Sequence, residues 1–237
     1  SSWKPGYAAP KVAAEPPQAG PRSAVVQFPG STLPILSVNY KGPAWSAKDR
    51  LSVAAEVLGL VAFGPNSDLY KKLVIQARKA QSFSADFEPA RDPGLLSITT
   101  MVTNPADIDA VAAEIEKTAE RYRSRPCDPK LLEDTKSAMK YEFLMSLETA
   151  QGACFALVPP AAYTGDIEAV EDFYRTLDSI TAEDVLEAAR RFLVAKHLGM
   201  GTLDDDIGIE VGITRAVDRA HAPFTQGDCG SCHNPHG

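Results

Sequence analysis

Two short apolar stretches, at 23–28 and 33–40, are separated by a Pro-Gly-Ser-Thr turn. They are β-branched and read as a pair of strands. Over 47–62 the period changes. Apolar residues fall at Leu51, Ala54, Ala55, Leu58 and Val61, the spacing of one helical face. Glu56 interrupts the apolar run 53–63, which reads as one buried helix. Asn66 or Ser67 caps a second helix reaching about Lys79. Residues 82–88 and 95–102 form two more strands, turning through Asp92-Pro93-Gly94.

From there the pattern is helical. One helix covers 108–122 after the start signal Asn104-Pro105, and a long one covers about 129–157. A third runs over 167–177 from Asp166. The fourth, 181–193, opens on Thr181-Ala182-Glu183-Asp184, a capping-box arrangement. A final strand at 197–203 returns to the sheet. The expected class is α+β, an antiparallel sheet with helices on one face, in the order ββααββαααα then β. The expected units are a Pro-rich linker (1–21), the main domain (22–203), an acidic connector (204–220) and a tail (221–237).

The 237 residues suffice for a real core, and the formal charge of −7 argues against a nucleic-acid partner. No apolar run is long enough to span a bilayer. The chain opens on Ser1 without Met or signal peptide and reads as a processed or excised product. Cys127 and Cys154 lie in helical context and read as buried small hydrophobes. Tyr163 and Tyr174 fit helix packing. Asp204 to Asp206 read as a solvated acidic turn.

Several segments occur in an order that resembles one family. They are Glu15-Pro16-Pro17-Gln18, then Tyr40-Lys41-Gly42-Pro43-Ala44 with Asp49 opening the next helix, then Ser67-Asp68-Leu69-Tyr70-Lys71-Lys72-Leu73-Val74. Asp92-Pro93-Gly94-Leu95, Ile180-Thr181-Ala182-Glu183-Asp184-Val185 and Gly201-Thr202-Leu203 complete the set. Residues 15–203 thus resemble the C-terminal, non-catalytic type of domain in the pitrilysin/insulinase zinc peptidases. The resemblance implies an antiparallel sheet with helices on one face, and a zinc-bearing partner half with which it forms a chamber that degrades unfolded peptides. That chemistry needs an inverted H-x-x-E-H motif. The four histidines, His197, His221, His233 and His236, form none, so no zinc site of this type and no catalytic residue is expected in the chain. The family's facing half adds an Arg and a Tyr, seven residues apart. The matching positions here hold Val74 and Gln81, neither suited to the role, and nearby Arg78 reads as a solvated helix charge.

Cys229-Gly230-Ser231-Cys232-His233 is the attachment motif of c-type haem. Two thiols add across the haem vinyl groups and the adjacent His ligates the iron. The wider stretch 221–237 resembles the doubled C-x-x-C-H repeats of multihaem cytochromes, which makes His221, and after it His236, the candidate second ligand. Two Cys with two His also suit zinc, and a disulfide or an inert tail stays open. Attached haem implies maturation outside the cytoplasm, in a bacterial periplasm or beyond. Three functions follow: a non-catalytic half of a peptidase chamber, an electron-transfer protein using the large domain as scaffold, or a structural subunit of a larger complex.

Overall fold

The computed structural model describes residues 18–27, 32–87, 89–194 and 198–204, the last stretch for its backbone only. Its centre is β2 (Ile35–Lys41) and β4 (Leu95–Val102), antiparallel with Val38 opposite Ile98. Both alternate strictly. Leu36, Val38 and Tyr40 on β2, and Leu96, Ile98, Thr100 and Val102 on β4, are buried on one face. The period-2 pattern therefore fixes which face meets the helices. β3 (Ala80–Phe87) pairs antiparallel with β4 on one side, and β5 (Leu198–Asp204) pairs antiparallel with β2 on the other. β1 (Arg22–Gln27) adds to the outside of β5 in parallel, giving the order β1-β5-β2-β4-β3.

The order corrects one expectation. β1 and β2 follow each other in sequence but do not pair, because the last strand of the domain lies between them. A parallel pair needs a crossover. Here nearly the whole domain supplies it.

α1 (Arg50–Phe63) packs against this sheet and is buried almost all round, with Val53, Ala54, Val57, Leu58 and Val61 fully out of solvent. Asp49 caps it, its carboxylate accepting from the Leu51 N–H. α3 (Ile108–Ser124) and α7 (Ala182–Phe192) flank it. The Tyr122 hydroxyl donates to the Val61 carbonyl at 3.0 Å, tying α3 to α1. The Tyr40 hydroxyl donates to Glu116 at 2.8 Å, and Arg123 joins Glu116 at 2.9 Å and reaches the Leu193 carbonyl. One polar chain thus links β2, α3 and the end of α7. The capping box of α7 is present as expected: Thr181 accepts from the Asp184 N–H while Asp184 accepts from the Thr181 N–H.

The remaining helices are α4 (Pro129–Ser146), α5 (Ala150–Thr164) and α6 (Ala169–Ser179). The expected single helix over 129–157 is two. Leu147 closes α4, and Thr149 starts α5 by accepting from the Gly152 N–H at 3.0 Å. A Cβ at Gly152 would lie 2.0 Å from the Ser146 carbonyl oxygen, so the corner requires glycine. α5 then runs through Pro159 and Pro160 and ends at Gly165, whose φ of 78° is the left-handed C-terminal stop. Five helices follow β4 rather than four. Asp166 starts the turn into α6 by accepting from the Glu168 N–H, and the regular helix begins at Ala169, two residues later than expected.

Candidate functional site

Two places are candidates: the positions where the resemblance implies an Arg–Tyr pair, and an aromatic cavity beside α1.

The first lies between α1 and β3. Ser67 caps α2 (Asp68–Tyr70) as expected, but the helix then widens into a π-helical segment, Lys71–Gln76. Val74 lies within it, half-buried against the core. Arg78 follows with φ 51°, left-handed and uncommon for a residue with a Cβ. Its neighbour Lys79 donates from its N–H to the Leu73 carbonyl at 2.9 Å, and the Arg78 carbonyl accepts from the Thr103 hydroxyl at 3.0 Å. Arg78 ends a helix and turns the chain into β3, with its side chain exposed. Gln81 sits at a bulge, since Ala80 pairs with Val102 and Ser82 already with Met101. It too is exposed. Half-buried Val74 carries no hydrogen-bond donor, and exposed Gln81 carries an amide but no acidic phenol.

The second lies where α1, α4, α5 and α6 meet. The cavity holds about 370 Å³ and is lined mainly by aromatic rings and prolines. Trp45 stacks on Phe173 at 6.1 Å and meets Tyr163 edge-on at 6.0 Å. Tyr174 lies 4.7 Å from Phe143 and 5.2 Å from Phe173. The two tyrosines expected to pack between helices do so, as walls of this space.

Among the described residues, Glu56 is the only ionisable carboxylate or base lining it. Its residue as a whole is half-buried, yet Oε1 is cut off from solvent and has no hydrogen-bond partner. Burial pushes its carboxyl up to about 8, with the Trp45 indole pulling weakly the other way. Burial, with Glu56 and Glu142 nearby, also raises the Tyr174 phenol. On α5, Pro159 and Pro160 supply no N–H, so the helical bonds to the Phe155 and Ala156 carbonyls cannot form beside this space. The sequence showed Glu56 only as a break in an apolar helix. A carboxylate inside such a run was the available signal.

α5 has no buried residue although its composition is strongly apolar. Phe155 and Val158 on it, Tyr141, Leu144 and Met145 on α4, and Ile167 before α6 are all exposed. Cys154 is exposed as well, against expectation, because α5 lies on the surface; Cys127 is buried as expected. Among the described residues no group of His, Cys, Asp or Glu could hold a metal, and no helix is long and apolar enough to cross a membrane.

A family profile described as the peptidase M16 inactive domain matches residues 1–139. The chain belongs to that family. A zinc protease of Helicobacter pylori, PqqE, is 27% identical over 179 residues, which is 75% of this chain and 40% of that protein. The crystal structure of a protease from Helicobacter pylori superposes with a TM-score of 0.75 at 22% identity, covering 84% of this chain and 48% of the other. The inactive peptidase domain of a Bordetella parapertussis protein gives 0.62 at 18% identity, covering 79% of this chain and 98% of that one. The chain thus spans less than half the length of the first two. A second profile, the doubled C-x-x-C-H motif, matches residues 221–237. Those residues, with Cys229, Cys232, His233, His221 and His236, lie outside the described part, as does His197.

Proposed function

We propose that this M16 domain is the non-catalytic half of a zinc peptidase and closes a peptide-degrading chamber against a zinc-bearing half, on the same polypeptide or another. The observation that carries this reading is α5. An apolar helix with no buried residue, flanked by exposed Leu144 and Ile167, is surface that water disfavours and a second domain would cover. The match to the inactive domain, and a span of 40% and 48% of two relatives, support a zinc-bearing half as the occupant. In this role the chain contributes walls, shape and peptide contacts. The metal-bound water belongs to the other half.

The test has two parts. The chain alone should cleave no unfolded peptide in a chelator-sensitive manner. With its zinc-bearing half it should, and Val158→Asp with Ile167→Asp should weaken that association at least about tenfold, as buried interface anchors do. Chelator-sensitive cleavage by the chain alone would refute the reading.

The match at 221–237 favours one addition. We infer that Cys229 and Cys232 attach haem c, with His233 as proximal ligand and His221 as the second, in the periplasm or outside the cell. The donor set fits, since two thiols two residues apart followed directly by an imidazole is the spacing the attachment uses. Bound haem supplies one-electron chemistry. Intact mass and a Soret band, on protein from a host that matures c-type cytochromes, check it. An unchanged mass would exclude it.

A further inference from the structure

The aromatic cavity beside α1 has features that neither a packing defect nor an interdomain face requires. Glu56 lines it, and one of its carboxyl oxygens is closed to solvent and without a hydrogen-bond donor. A buried acceptor left unpaired is costly, and a protein keeps one where something else supplies the hydrogen bond. Among the described residues no Lys, Arg or His lines the space. Its walls are the rings of Trp45, Phe143, Phe173 and Tyr174, whose faces attract cations. Its volume of about 370 Å³ is in the range of small-ligand pockets.

We infer that this cavity binds a primary ammonium group carried on an aliphatic stem, with the Glu56 carboxylate accepting from the ammonium and the aromatic walls enclosing the stem. The charge is complementary to the carboxylate form of Glu56, which the folded chain takes above pH 8. The stem suits the apolar walls. Phe155, largely exposed on α5, forms the outer part of the wall and gives the ligand a way in. The ligand chemistry has two sources, a lysine side chain of a polypeptide or a free alkylamine. The inference does not depend on pairing with a zinc-bearing half.

Calorimetric titration of the full chain at pH 9, where Glu56 is ionised and the alkylamine still protonated, with n-hexylammonium and with n-hexanol tests it. The ammonium should bind at least about tenfold more tightly, the margin expected of a buried charge-assisted bond. Glu56→Gln, nearly equal in volume, should remove that preference and leave hexanol binding unchanged. A short blocked peptide with one central lysine then separates the sources. Binding comparable to hexylammonium assigns the site to polypeptide lysines, and binding of the free amine alone assigns it to small amines. Equal binding of ammonium and alcohol to the unaltered protein, or no binding of either, overturns the inference without any variant. So does an ammonium affinity that Glu56→Gln leaves unchanged.

Discussion

Glu56 ties stability to pH. Its carboxyl is raised from 4.5 to about 8 in the folded state, so the folded chain holds this proton where the unfolded chain releases it. Stability from this group is complete below pH 4.5 and is lost as pH rises through 8. Glu56→Gln should flatten that slope and raise the melting temperature at pH 9 relative to wild type, with little difference at pH 4.5. Thermal melts at the two values check this, and parallel losses in both proteins would contradict it. Arg78 gives a second residue-scale expectation. Its left-handed φ costs about 1 kcal/mol in any residue but glycine. Arg78→Gly should leave stability unchanged or slightly higher and leave peptide turnover by the assembled enzyme untouched. A loss of turnover would restore Arg78 as a substrate contact. Tyr40→Phe should cost about 1 kcal/mol, because Glu116 keeps Arg123.

At the level of elements, much was legible because local signals were unopposed. β4 matches its expected bounds, and the caps at Asp49, Ser67 and Thr181 are made by the side chains that predicted them. What failed was non-local or depended on one small residue. Nothing in the pattern of 22–27 says that its neighbour comes from 198–204. The break between α4 and α5 turns on Thr149 and Gly152, inside an apolar run that otherwise favours continuing. The helix expected to end at about 157 runs on as α5 through Pro159 and Pro160 on the surface, where water can satisfy the freed carbonyls. Gly152→Ala should therefore disrupt the corner, destabilising α5 by about 2 kcal/mol through the clash with the Ser146 carbonyl. Hydrogen exchange should show α5 amides losing protection while α1 and the central strands keep theirs.

Across the whole molecule, the ordered segments over 15–203 carried the family, and the profile match agrees. At the positions where the resemblance implies an Arg–Tyr pair, the structure has Val74 packed against the core and Gln81 at a bulge. The cavity was not legible, because its lining comes from α1, α4, α5, α6 and two loops that only the fold assembles. The central claim is that an inactive M16 domain presents α5 to a zinc-bearing half. The most direct measurement recovers the protein from its native extract with its stoichiometric partner, then determines the partner's sequence, the zinc content and chelator-sensitive peptide cleavage. A partner carrying H-x-x-E-H, one zinc per complex, and loss of all three with Val158→Asp and Ile167→Asp is the predicted result. A stable complex without that motif and without zinc would contradict the account and make the chain a structural subunit.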